Sequence, residues 1–280
     1  MKKLSGKVAM VTGCGGEHGV GRAIARRLAA DGADLVVTDV ALTGTVVVPT
    51  KSPSGWGGLD AVAAEVRELG SQALSGLLDV RSAAQIDGII ARTLETFGRL
   101  DVLVNNAAAP PGGDRVPVVQ LPEEAWDIVL DVNLKGAYLC AKAAASVMLR
   151  QQIRGRILNI GSDNSKVGEP NLAAYCASKF GLVGFTQSLA RELAPAGITV
   201  NTICPGPMDT ERVDYVGRRK DGSYDQAQRV EKIRQWSAAV PLGRLATPVD
   251  VAEVAAFLAS DAAACITGQA INVSGGTVMH

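Results

Sequence analysis

Histidine is almost missing from the 280-residue sequence, which has only His18 and His280. A histidine-rich metal cluster is therefore excluded, and no metal is expected. A Ser-His-Asp hydrolase would have to recruit a residue inside a glycine loop or the C-terminal one. Net charge is also absent, since 28 Lys+Arg offset 28 Asp+Glu. With no basic stripe either, this argues against a nucleic-acid partner held by bulk charge. No apolar run reaches the ~18 residues a membrane span needs. The apolar part of "MKKLSGKVAMVTG" is too short for a secretory signal, so a cytoplasmic protein is expected. The five cysteines, at 14, 140, 176, 204 and 265, form no CxxC pair. Set among apolar or small residues, they read as reduced, mostly buried thiols.

What is present has a rhythm. Short apolar runs at 7–13, 33–40, 72–80, 100–108, 155–162, 198–206 and 268–276 alternate with helical patterns. The runs lack polar alternation, as strands covered on both faces do. Gly70 ends one helical stretch, Pro122 falls in the first turn of another, and Thr247 with Pro248 opens a third as N-cap and first residue. Seven strands separated by helices predict an α/β fold: one Rossmann-type, doubly wound parallel sheet in a single domain spanning 1–280. Two segments break the rhythm, an insertion at 41–58 and a long excursion at 207–247 that reads as a substrate loop or lid.

The stretch "TGCGGEHGVG" (12–21) lies between the first strand and the first helix. Backbone N–H groups at a helix start have no internal partners, and glycines let a pyrophosphate come close. Asp39 ends the second strand, 18 residues past Gly21, near the spacing of the acid that holds an adenosine ribose. A carboxylate there accepts from the ribose hydroxyls and repels a 2′-phosphate, so NAD is expected over NADP; His18 is the nearest basic residue.

Two Tyr-x-x-x-Lys pairs occur, Tyr175 with Lys179 and Tyr138 with Lys142. Chance supplies roughly 0.14 such pairs in a sequence of this composition, so the pattern alone is weak. A phenol is a poor base near neutrality, and a neighbouring ammonium favours its ionised form. Position separates the two pairs. Tyr175 follows the strand ending at Ser162, at the sheet edge where ligands bind, whereas Tyr138 lies in a long helix with no strand-end partner. Tyr138 is expected to be a packing or surface residue.

Taken in order, "TG…GVG", "NNA", "DVNLKG", the 13-residue spacing from Ser162 to Tyr175, "YCASK", "PGPMDT" and "ITGQAINVSGG" give the chain a resemblance to the short-chain dehydrogenase/reductase family over nearly its whole length. The resemblance implies a catalytic set of Asn133, Ser162, Tyr175 and Lys179. Tyr175 would exchange the substrate's hydroxyl proton, Ser162 would hold the substrate oxygen, Lys179 would tune the phenol and bind the nicotinamide ribose, and Asn133 would hold a water leading to solvent. It further implies a dinucleotide site at Gly13, Gly19, Val20, Gly21 and Asp39, with Asp79 and Val80 at the adenine, Asn106 and Ala107 beneath the cofactor, and Pro205, Met208 and Thr210 at the carboxamide. Homodimers or tetramers are implied through the helices at 122–149 and 173–195.

The sequence departs from the family pattern in three places. Five residues, Cys14 to His18, separate Gly13 from Gly19 where three are usual; Ala108 stands in "NNAA" where glycine is frequent; and 41–58 is extra. The insertion and the enlarged glycine loop are expected to flank the adenosine half of the cofactor. The substrate pocket should come from 109–121, 163–174 and 207–247, with Asn164, Glu169, Tyr215 and Trp236 as candidates. The basic run at 218–220 is either an anion lure or, more simply, a solvated face. The expected activity is hydride transfer between NAD and a secondary alcohol or its ketone. The competing readings are an NADPH-dependent carbonyl or 3-oxoacyl reductase and a non-catalytic dinucleotide sensor.

Overall fold

A computed structural model describes residues 2–44, 55–219 and 221–280. Its strands are β1 (Val8–Thr12), β2 (Asp34–Asp39), β3 (Ala73–Leu77), β4 (Val102–Asn105), β5 (Arg156–Ile160), β6 (Thr199–Pro205) and β7 (Ala270–Val273). Its helices are α1 (Val20–Ala30), α2 (Gly58–Glu68), α3 (Ala83–Phe97), α4 (Glu123–Leu130), α5 (Gly136–Arg150), α6 (Ala173–Leu193), α7 (Gln226–Ala239) and α8 (Pro248–Ala259). The strands form one parallel sheet in the order β3-β2-β1-β4-β5-β6-β7, the doubly wound arrangement the alternation predicts.

Burial on both faces explains why the strands read as unbroken apolar runs. In β1, Ala9 and Val11 pack with Ile24 and Leu28 of α1 and Val251 and Ala255 of α8. Val8 and Met10 point the other way, toward Ile86 and Ile90 of α3 and Ala144 and Met148 of α5. Each strand is shorter than its apolar run, which extends past the strand at both ends. In the run 100–108, for example, the strand covers Val102–Asn105. Four of the cysteines are buried and Cys265 is exposed.

The helix starts follow local chemistry. Thr247 caps α8 in a reciprocal box: its hydroxyl accepts from the Asp250 N–H at 3.2 Å, and Asp250 accepts from the Thr247 N–H at 2.8 Å. Pro122 proves to be the residue just before α4 rather than within its first turn. The long helix expected from 122 is divided by a π turn at Asp131–Lys135, which separates α4 from α5. The 207–247 excursion is folded rather than open loop. It holds a 3-10 turn (Glu211–Gly217) and α7, tied together by Arg229, whose guanidinium donates to Asp214 at 2.6 Å and to Asp209 at 2.5 Å.

A buried polar row sets where α6 lies on the sheet. Asn105 of β4 donates to Asn159 of β5 at 2.9 Å, and Asn159 donates to Thr186 of α6 at 2.8 Å. Thr186 in turn meets Thr202 of β6 at 2.7 Å. Breaking such a row leaves polar groups unpaired in the interior. Asn159→Ala is expected to lower unfolding stability by about 1–3 kcal/mol, read as a shift in the urea midpoint at unchanged m-value.

Candidate active site

Strand order reverses between β1 and β4, and their carboxyl ends open a crevice there. Side-chain hydrogen bonds close the floor of this crevice. The Thr12 hydroxyl accepts from the N–H groups of Asn106 and Ala107, both at 3.0 Å. The Asn106 amide donates back to the Thr12 and Gly13 carbonyls at 2.9 and 2.8 Å. Gly13 has φ +73°, and a Cβ on it would lie 2.9 Å from the Ala107 Cα. A Cβ on Gly21 would run into the Gly13 carbonyl oxygen. Both glycines are required for α1 to start this close to the strand end. Gly19 is the N-cap of α1 and brings no side chain to its first N–H groups, which leaves them for an anion.

The enlarged glycine loop is held from three sides. The Gly15 N–H donates to Asp39 at 2.8 Å, and the Trp56 indole N–H donates to the Gly15 carbonyl at 2.8 Å. Across the crevice, the His18 N–H donates to Glu211 at 2.8 Å. Arg22 lies 4.7 Å from the Trp56 ring and pairs with Glu65. The ends of the insertion thus pack on the glycine loop beside Asp39; its middle, 45–54, lies outside the described residues. The Asp39 carboxylate is buried and also accepts from the Val40 N–H at 2.7 Å. Burial pushes its pKa up, and these N–H bonds oppose the shift.

One cleft of about 870 Å³ runs from this loop to the 207–217 segment and α7. Gly13, Gly19, Val20, Asp39, Asp79, Val80, Asn106, Ala107, Ser162, Tyr175, Lys179, Pro205, Met208 and Thr210 all line it. Asn164, Glu169, Tyr215 and Trp236 do so as well. Gly21 and Asn133 stand behind the wall: Gly21 supports Gly13, and Asn133 is buried in the π turn. Asn133 accepts from the Ala109 N–H at 2.8 Å and donates to the Ser178 hydroxyl at 3.0 Å. Its side chain therefore joins the 109–121 segment to α6. The Tyr138 pair lies elsewhere; Tyr138 is exposed and edge-on to Phe185 at 6.3 Å.

The catalytic candidates meet at the carboxyl end of β5. Lys179 is buried and donates to the Ile160 carbonyl at 2.7 Å, with its ammonium 5.7 Å from the Tyr175 ring centre. Burial, aided by the charge of Arg212, pushes the Lys179 pKa down to about 7. The Ser162 hydroxyl donates to Asp163 at 2.8 Å and accepts from the Asn164 N–H at 3.2 Å, which orients it at the start of a short 3-10 turn. Burial raises the pKa of the Asp163 carboxyl, and the Ser162 hydrogen bond opposes this.

Sequence reasoning missed two arginines. Arg115 stacks 4.7 Å from the Tyr175 ring centre and 5.5 Å from that of Tyr215, and Arg212 lies 5.7 Å from the Tyr175 centre. Nothing in the local pattern marks either one, because they come from segments almost a hundred residues apart. The basic run that did stand out is solvated: Arg218 and Arg219 are exposed, Arg219 pairs with Asp225 at 2.5 Å, and Lys220 lies outside the described residues. Among the described residues there is no cluster that could hold a metal, and no helix is long and apolar enough to cross a membrane.

The glycine cradle, the uncapped helix start and the acid at the end of β2 fit a dinucleotide. Known proteins agree. A family model described as enoyl-(acyl carrier protein) reductase matches residues 13–278. The chain is 39% identical over 280 residues to a 3-oxoacyl-[acyl-carrier-protein] reductase of Synechocystis sp., covering all of both chains. It is 35% identical to a sorbitol dehydrogenase of Cereibacter sphaeroides, covering 99% of each. A short-chain type dehydrogenase/reductase from Mycobacterium marinum superposes with a TM-score of 0.84 at 28% identity, covering 99% of this chain and 97% of that one. With its sheet order, its glycine cradle and its Ser162, Tyr175 and Lys179 on one cleft, the chain belongs to the short-chain dehydrogenase/reductase family of nicotinamide-dinucleotide-dependent oxidoreductases.

Proposed function

We propose that this protein is an NAD(H)-dependent dehydrogenase/ketoreductase that interconverts a small secondary alcohol and its ketone. The observation that carries this reading is the Tyr175 ring set beside a buried Lys179 ammonium, in the same cleft as the glycine cradle. A non-catalytic sensor needs no such pair.

When bound, the nicotinamide supplies the hydride acceptor or donor. The chain supplies everything else. Gly13, Gly19 and Val20 would hold the phosphates at the start of α1, with Gly21 supporting Gly13 from behind, and Asn106 and Ala107 would form the platform beneath the cofactor. Asp79 and Val80 flank the adenine. Pro205, Met208 and Thr210 hold the carboxamide end. Tyr175 takes the alcohol proton during oxidation and returns it during reduction, and the cations beside the ring complement the charge left on its oxygen. Ser162, already oriented by Asp163, hydrogen-bonds the substrate oxygen. Lys179 would bind the ribose and relay the proton, and Asn133 would hold the water that links Lys179 to solvent.

Asp39 supports NAD. Its carboxylate is buried and anchored by backbone N–H groups, so it cannot turn aside for a 2′-phosphate. The identity to a 3-oxoacyl-[acyl-carrier-protein] reductase favours a second reading, an NADPH-dependent carbonyl or oxoacyl reductase. The cofactor preference separates the two. The chain acts as one domain in the cytoplasm and assembles as a homodimer or tetramer through α5 and α6, which expose Tyr138, Leu149 and Phe180.

Tyr175→Phe is expected to lose about 10²- to 10⁴-fold in turnover with NADH affinity retained, whereas Tyr138→Phe keeps its activity; steady-state rates and NADH fluorescence titration measure both. NADH should bind at least roughly tenfold more tightly than NADPH, and Asp39→Asn should narrow that ratio by removing the like-charge repulsion; equal affinities in the wild type would favour the second reading. Lys179 in the fold binds its proton less tightly than its ordinary value of 10.5 allows, so between about 7 and 10.5 the unfolded chain holds more protons. Its contribution to stability therefore rises with pH across that window. The difference in Tm between wild type and Lys179→Met, measured without cofactor, should move in favour of the wild type as pH is raised from neutral toward 10.

A further inference from the structure

The substrate end of the cleft contains more positive charge than proton transfer requires. Lys179 serves the chemistry at the floor. Arg115 and Arg212 add two guanidiniums, both against the Tyr175 ring at 4.7 and 5.7 Å. They line the same cleft as Ser162, Glu169 and Tyr215. We propose that Arg115 and Arg212 form a clamp for an oxyanion, so that the substrate carries a carboxylate or a phosphate close to its reacting carbinol. This inference rests on the dehydrogenase reading above and names the substrate class of that site.

The pairing state of the two arginines supports the clamp. Among the described residues Arg212 makes no hydrogen bond and no ion pair, although it is partly buried. Arg115 pairs through its buried Nε with the buried Asp114 carboxylate at 3.3 Å, a contact whose geometry makes no hydrogen bond, and no acid contacts its two terminal nitrogens among the described residues. Asp114 is itself engaged by the Gly112 N–H at 2.9 Å. An arginine kept from water demands an acceptor, and its planar fork suits carboxylate or phosphate oxygens. Two acids also face this end of the cleft. Asp163 is bound to Ser162 and to the Asn164 N–H, and burial raises its pKa toward the neutral form. Glu169 is exposed, 3.4 Å from the Asn164 amide. Neither is paired with Arg115 or Arg212. The basic run at 218–220 plays no part, since none of its described residues lines the cleft.

The clamp also follows from where the segments meet. Arg115 comes from the segment after β4 and Arg212 from the 3-10 turn after β6. The second of these is held by the buried Arg229 bridges to Asp209 and Asp214, so Arg212 sits on a braced element. A small hydroxy acid that bridged both guanidiniums would bring its carbinol within reach of Ser162 and Tyr175.

The test has two arms. In the first, chain-length series of 2- and 3-hydroxycarboxylates, the matching primary amides and the matching hydroxyalkyl phosphates are assayed with NAD on wild type, Arg115→Gln, Arg212→Gln and the charge-retaining Arg212→Lys. The clamp predicts that an anion exceeds its neutral amide by more than tenfold in kcat/KM. It also predicts that this ratio falls at least tenfold in each Gln variant and partly recovers in Arg212→Lys; the carboxylate and phosphate series tell the two oxyanions apart. In the second arm, malonate and inorganic phosphate are titrated into the enzyme–NADH complex and followed by nicotinamide fluorescence. Saturable binding that weakens at least tenfold in the Gln variants, with NADH affinity unchanged, supports the clamp. Amides used as well as anions, or anion binding that is absent or indifferent to both arginines, overturns it. Arginine-dependent anion binding with no alcohol oxidised would retain the clamp and instead overturn the dehydrogenase reading.

Discussion

A charged ammonium held inside the protein constrains the whole site. Lys179 of α6 is buried against the end of β5, and among the described residues its hydrogen-bond partner is one backbone carbonyl, that of Ile160, at 2.7 Å. A charge placed there is unfavourable unless surrounding groups compensate, and the drop of its pKa to about 7 expresses that burden. The arrangement persists because α6 has no freedom to turn the side chain outward. The Asn105–Asn159–Thr186–Thr202 row fixes the helix on the sheet at one rotational setting. The same setting places Tyr175, one turn earlier, against the cleft. The fold thus holds a destabilising group in position by means of hydrogen bonds distant from the chemistry.

The two halves of the cleft are built by different rules. On the dinucleotide side, side chains are removed: Gly13 and Gly21 let backbones touch, and Gly19 leaves the first N–H groups of α1 uncapped. What that side presents to a ligand is main-chain groups and one carboxylate, set by the path of the chain itself. On the substrate side, long charged and aromatic side chains converge from separate segments: Arg115, Arg212, Tyr215 and Trp236. This division explains how relatives named for a 3-oxoacyl reductase and a sorbitol dehydrogenase share so much of one chain.

The link between the halves is local. The His18 N–H meets Glu211 across the crevice, next to the Arg212 that faces Tyr175. The two extra residues of the glycine loop give it the reach for that contact, while Trp56, at the far end of the insertion, holds its other flank. The enlarged loop and the insertion, which stand apart in the chain, thus act as one structural feature around Asp39.

The amino-acid sequence alone determined the sheet, the glycine turn at the start of α1, the place of Asp39 at the end of β2 and the placing of Tyr175, rather than Tyr138, at the strand-end cleft. Each of these depends on short-range pattern: apolar runs of strand length, glycine where a helix must start beside a strand, and two residues four apart on one helical turn after a strand end. It was blind to the π turn around Asn133, because π and α turns differ by one residue in hydrogen-bond register and not in composition. It also took the 207–247 excursion for open loop, because the bridges from Arg229 that fold it are made across gaps of 15 and 20 residues. Only the tertiary structure decided where the positive charge lies. A run such as 218–220 is conspicuous in the chain and stays in water, whereas Arg115 and Arg212 are single residues made neighbours by the winding of the sheet. The charge that acts on a ligand is set by proximity in space inside a low-dielectric cleft, and linear order does not encode it.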